Sequence, residues 1–188
     1  DAEEDAGPNG GDGNDDNQQD SDQANVATFH TQDGTNYVTL ESAAGTTLAD
    51  CSAVSVPTAS GAPSGVTFPY GFIEFTINGA GAGGATTLII YLPAGANINT
   101  YWKYGPTPTN SKSHWYEFMY DSATLTGAKI NGNKITLQFI DGQRGDDDIT
   151  ANGIIIDQGG PGTYSSSGGS PPDHGSGGGC FIRAAYGK

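Results

Sequence analysis

The fold is decided by GFIEFTINGAGAGGATTLIIYL, residues 71–92. In its first half Ile73, Phe75 and Ile77 alternate with Glu74 and Thr76, the two-residue period that sends apolar side chains to one face of a strand. In its second half the run Leu88, Ile89, Ile90, Tyr91, Leu92 is apolar without a break, as in a strand covered on both faces. The glycines of GAGAGG, 79–84, join the two halves as a turn. They are not a phosphate-binding loop, because no Lys-Ser/Thr follows them and no helix is expected after them.

The same punctuation recurs on either side. Short runs rich in β-branched and aromatic residues predict strands at 37–40, 52–56, 99–103, 114–120, 134–140 and 153–156, with Gly, Pro, Asn and Asp between them. Ile135, Leu137 and Phe139 again share one face. No segment of useful length has a helical period. The reading is all-β: residues 25–158 form a single antiparallel β-sandwich, Greek-key or Ig-like, flanked by extended N- and C-terminal arms.

The two arms differ in chemistry. Residues 1–24 carry Asp1, Glu3, Glu4, Asp5, Asp12, Asp15, Asp16, Asp20 and Asp22 without one base, the first being Lys103. Such a segment stays disordered unless cations or a neighbouring subunit order it. Residues 159–179 are rich in Gly, Ser and Pro and predict a flexible tether. The peptide CFIRAAYGK, 180–188, is partly apolar and suits docking, as by strand addition to a sheet edge.

Charge excludes some partners. With 21 acidic against 7 basic residues among 188, a net charge of -14 repels nucleic acid. No apolar run reaches the roughly 20 residues of a membrane helix. The chain opens at Asp1 with no basic-then-apolar leader, and is expected to be a mature or excised product.

Two acidic constellations carry metal chemistry. In DGNDDNQQD, Asp12, Asn14, Asp16 and Asp20 place oxygens at positions 1, 3, 5 and 9 of a loop, a spacing that can wrap Ca²⁺ in hard oxygen ligands. Asn17 and Gln23 stand where an EF-hand loop has Gly and Glu, so a helix-flanked EF-hand is not expected. Asp5 and Asn9, with Asp1 and Glu4, are candidates for further ligands. A solvated acidic tail is the alternative. In DGQRGDDD, Asp141, Asp146 and Asp148, with Asp147, form either a second Ca²⁺ site or a turn braced by Arg144 whose acids cap backbone N–H groups.

The remaining candidates are weaker. Tyr101, Trp102, Tyr104 and Trp115, near Tyr116 and Tyr120, are either a stacking platform for glycans or the heavy part of the core. Glu74 and Glu117 lie on expected strands, but nothing in the sequence fixes the separation a glycosidase pair requires, and no GxSxG motif occurs. No enzyme activity is expected. Cys51 and Cys180 predict one disulfide, within or between chains, with free thiols or a modified Cys180 as the alternative. The three His show no ligand spacing with them.

GVTFPYGFIEFTING (65–79), TTLIIYLPAG (86–95), NTYWKYGPTP (99–108), HWYEFMYD (114–121) and ITLQFIDGQRGDDDITANGIIID (135–157) together resemble the choice-of-anchor U domain of bacterial surface proteins. The likeness covers about residues 25–160, in the same order. EDAGPNGGDGNDDNQQDSDQ (4–23) resembles a thrombospondin type 3 calcium repeat with Asn17 in place of the usual Gly. CFIRAAYG resembles the CFIATAAYG element of surface-protein C-termini, one residue shorter and with Arg183 in place of Ala-Thr. The resemblance implies a secreted or cell-surface location but no chemistry. The expectation is a calcium-stabilised structural subunit of an extracellular filament or stalk, assembled with other copies of itself, with a glycan-binding adhesin as the alternative.

Overall fold

The fold is a sandwich of two antiparallel sheets, seen in a computed structural model that describes residues 1–165. The tether beyond Ser165, the docking peptide and Cys180 lie outside the described residues. The strands are β1 (Val26–His30), β2 (Tyr37–Ser42), β3 (Thr47–Val54), β4 (Val66–Thr67), β5 (Phe72–Asn78), β6 (Ala85–Tyr91), β7 (Thr100–Thr107), β8 (Asn110–Glu117), β9 (Gly127–Asn131), β10 (Lys134–Ile140) and β11 (Ile154–Tyr164). The first sheet runs β1-β2-β6-β10-β9, and the second β3-β5-β11-β7-β8 with β4 beside β11. β5 and β6, the two halves of the 71–92 segment, fall in different sheets, so the glycine turn between them crosses from one layer to the other.

The two-residue period explains the core. Val38, Leu40, Leu88, Ile90, Ile135, Leu137 and Phe139 face inward from the first sheet, against Ile73, Phe75, Ile77, Tyr101, Phe118 and Ile155. Each fully buried side chain of this size contributes about 1.5–3 kcal/mol of transfer free energy. Contrary to the expectation of a strand covered on both faces, β6 does alternate: Leu88 and Ile90 are sealed, while Ile89 and Tyr91 on the outer face are half-buried.

β11 departs from the sequence reading. It continues to Tyr164, through Gly159, Gly160, Pro161 and Gly162, which pair with β7. The glycines are places of close approach: a Cβ at Gly159 would lie 2.5 Å from the Tyr101 ring, and one at Gly160 would lie 2.3 Å from Phe72. Pro161 is tolerated because the ladder to β5 ends at Gly159 and the pairing with β4 begins at Thr163.

The acidic arm is folded. Two short helical turns, Ala2–Asp5 and Pro8–Gly11, and a 3-10 turn, Asp20–Asp22, lie against the outer face of β1 and β2. They cover Thr28 and Thr39, each only 2% exposed.

Candidate functional site

Two polar constellations stand out, one under the arm and one inside the sandwich.

The first is built on Asp20, which is wholly buried. Its Oδ2 accepts hydrogen bonds from Gly13 N at 2.9 Å and from Thr28 Oγ1 at 2.5 Å, and Thr28 Oγ1 lies 2.6 Å from Thr39 Oγ1 across the β1–β2 pair. Burial raises the Asp20 pKa, against the lowering by Thr28 and Gly13. Its Oδ1 and the side-chain oxygen of Asn14 are both buried without a hydrogen-bond partner. Asp12 lies near enough to raise the Asp20 pKa further, but its own oxygens accept from Asp16 N at 2.9 Å and Asn17 N at 2.8 Å.

The other arm candidates are spread out. Asp16 accepts from Gln18 N, Asp5 accepts from Ser21 Oγ, and Asn9 Nδ2 donates to the Asp12 carbonyl. Hydrogen bonds also tie the arm to the first sheet, Glu3 accepting from His30 N at 2.8 Å. Among the described residues no group of three or more His, Cys, Asp and Glu side chains is placed to hold a metal ion. The buried oxygens left without partners in the arm are mixed, one from a carboxylate and one from an amide.

In the DGQRGDDD loop the acids cap backbone N–H groups. Asp141 Oδ2 accepts from Gly83 N at 2.7 Å and Gly153 N at 2.9 Å, pinning the glycine turn to the start of β11. Asp146 accepts from Gly142 N and Ile156 N, and Asp148 from Thr150 N and Asn152 Nδ2. The three therefore bond to different segments of the chain, and Asp141 Oδ1 is buried without a partner. Arg144 braces something other than these acids: it donates to the carbonyl oxygens of Glu117, Met119 and Thr126, and its guanidinium lies 4.8 Å from the Phe118 ring centre.

The second constellation was missed by sequence reasoning. Lys103, on β7, is completely buried. Its Nζ contacts Asp157 Oδ1 on β11 and the Gly145 carbonyl, and lies 3.1 Å from Asp147 Oδ1. The register supplies the geometry: Lys103 pairs with Gly159, and Asp157 is two residues along β11 on the same face. Gly145 (φ +105) turns its carbonyl inward, and a Cβ there would meet Phe118 Cζ at 2.4 Å. Asp157 is 1% exposed. Burial raises its pKa to about 7 although Lys103 pulls it down, and burial likewise raises Asp147. For Lys103 burial favours the neutral amine, and the two carboxylates outweigh it, leaving the pKa raised. The hydroxyls of Tyr101 and Tyr116 and Asp157 Oδ2 are buried without hydrogen-bond partners. One signal was legible: Tyr101, Lys103 and Gly105 share the inward parity of β7, so a base was aimed at the core.

The aromatic residues divide between two places. Tyr101 is core. Tyr104 and Trp115 pack 5.5 Å apart, Trp115 also stacks with Phe68 at 6.1 Å, and its Nε1 donates to the Ala59 carbonyl. Trp102 is half-buried, with a buried Nε1. Glu74 accepts from Ser52 and Glu117 from Thr100. They sit on β5 and β8 with β11 and β7 between, so they are not on neighbouring strands. Cys51 is half-buried, and burial pushes its thiol up to about 12.

No family model, curated protein or solved structure matches the chain. No helix among the described residues is long and apolar enough to cross a membrane.

Proposed function

We propose that the chain is a structural module of a secreted or cell-surface bacterial protein, a β-sandwich whose acidic arm is tightened by Ca²⁺ and which assembles with other copies of itself into a stalk or filament. The observation that carries the reading is the pair of buried, unpartnered oxygens, Asp20 Oδ1 and Asn14 Oδ1, where the arm crosses β1 and β2. Hard oxygens without donors are what Ca²⁺ coordinates, and main-chain carbonyls and water complete its shell of six to eight. A cation there offsets the repulsion of an arm that has no base and joins it to the first sheet. The surface location rests on the resemblance to the choice-of-anchor U domain, and self-assembly on the edge strand β8, whose first four residues, Asn110, Ser111, Lys112 and Ser113, are exposed.

The test is thermal melting in excess EGTA and with added Ca²⁺, beside electron micrographs of both samples. Binding that holds only the folded arm raises Tm with concentration, by about 2.7 kcal/mol of stability at a hundred times Kd. Identical melting curves and identical particles in the two samples would overturn the proposal.

A further inference from the structure

We propose that Lys103 and Asp157 become joined after folding by an intramolecular amide (isopeptide) bond between Lys103 Nζ and Asp157 Cγ, with Asp147 shuttling the protons. The inference is independent of cation binding, since it concerns the interior of the sandwich.

As an ionic cluster the site is poor. One ammonium faces two carboxylates, with Lys103 and Asp157 sealed from water and Asp147 only slightly exposed, and burying such an unbalanced set is costly unless every polar atom is paired. Here Asp157 Oδ2 and two tyrosine hydroxyls are left without hydrogen bonds. Phe118 and Phe139 wall the amine, their ring centres 5.4 and 5.9 Å from Nζ. An amide removes both charges of the pair.

As a reaction site it is well arranged. β7 and β11 are adjacent strands, so folding itself brings amine and carboxyl into contact. Holding reactants this way is equivalent to effective molarities of about 10⁵ M or more. The dry surroundings favour a protonated Asp157 carboxyl, an electrophile, over the unreactive carboxylate. Asp147 Oδ1 is within 3.1 Å of Nζ, while its Oδ2 is fixed by Gln158 N at 3.1 Å. A Cβ on Gly105 would stand 2.6 Å from Asp147 Oδ1, so the strand keeps that position clear for the carboxylate.

The step balances without any outside reagent. Asp147 takes one proton from the Lys103 ammonium, and the free amine attacks Cγ of the protonated Asp157 to give a tetrahedral adduct. Asp147 returns that proton to the hydroxyl, the C–O bond breaks, and water leaves as the carbonyl reforms. The nitrogen gives its second proton to Asp147, which ends protonated beside a neutral amide. One C–N bond forms, one C–O bond breaks and nothing is oxidised or reduced.

The experiment is intact mass spectrometry of the reduced, denatured full chain, followed by proteolysis and tandem mass spectrometry. The expected result is a mass one water below that of the sequence and a branched peptide containing Lys103 and Asp157. Lys103→Arg should restore the full mass. Asp147→Asn keeps the amine and its target while removing the shuttle, and should slow linkage by about a hundredfold or more. Linkage in Asp147→Asn at the wild-type rate would overturn the role given to Asp147. A wild-type chain of full mass, with Lys103 and Asp157 on separate linear peptides, would overturn the bond itself, even if the variants fail to fold. A lost water found as a succinimide at Asp12–Gly13, Asp33–Gly34 or Asp141–Gly142, on one linear peptide, would overturn it equally.

Discussion

Replacing Arg144 by Met removes a charged fork while keeping an unbranched apolar stem, and so isolates what the guanidinium does. Its shortest bond, Nη2 to the Glu117 carbonyl at 2.7 Å, is a charge-assisted one and contributes about 1.5–3 kcal/mol. The contact with the Phe118 ring at 4.8 Å adds about 1 kcal/mol. The three bonds to Met119 and Thr126, each 3.3 Å long, add little at that length. Arg144→Met should therefore lose about 3 kcal/mol, or roughly 6–12 °C in Tm for a domain of this size. Urea unfolding at pH 7 and at pH 3 separates a guanidinium bound to carbonyls from one bound to the acids of its loop. A guanidinium bound to carbonyls costs the same to remove at both, because carbonyls do not titrate. One bound to carboxylates loses its value as they protonate near pH 4. A loss below about 1 kcal/mol, or one that disappears at pH 3, would refute the assignment.

Asp20→Asn should keep the arm in place but abolish the Ca²⁺-induced rise in Tm, measured by scanning calorimetry; an undiminished rise would move the cation elsewhere. Lys103→Met leaves Asp147 and Asp157 buried without a counter-charge, both with folded pKa values raised by burial. Their contribution is then greatest when protonated and falls as pH rises through the folded pKa, so this variant should be about 3 kcal/mol more stable at pH 4 than at pH 8. A flat or rising profile in urea titrations would contradict that. Gly145→Ala forces a side chain into φ +105 and against Phe118, and should lower stability by about 2 kcal/mol or more, read from Tm.

The sandwich was legible because Ile73, Phe75 and Ile77, and again Ile135, Leu137 and Phe139, carry a period that only a half-buried strand satisfies. All eight expected strands lie within or overlap observed ones, and β1, β4 and β9 were not foreseen. β4 is two residues long, and β9, GAKIN, has too few apolar residues to announce a face. The glycines of 159–162 looked like a linker because composition cannot distinguish a flexible glycine from one that makes room for Tyr101 or Phe72.

The candidate site was legible only in part. Asp12, Asn14, Asp16 and Asp20 were singled out by spacing, yet the arm turns their oxygens in several directions, and only tertiary contact with Thr28 shows which carboxylate is sealed. In the second loop, the acids were evident and their targets were not, because Gly83 and Ile156 are distant in sequence from Asp141 and Asp146, or on another strand. Lys103 passed as one charge among aromatics. Its partners Asp147 and Asp157 come from a loop and a strand far along the chain, a pairing that register determines and local pattern does not.

The position of β11 has a mechanical meaning. It is an inner strand, laddered to β5 on one side and β7 on the other, and its C-terminal end lies at Tyr164. Tension applied from beyond that point runs along the strand axis and loads its cross-strand bonds in shear, all together, instead of peeling them one at a time. A covalent rung at Asp157 would divert that force into β7, leaving every residue from Lys103 to Asp157 out of the load path.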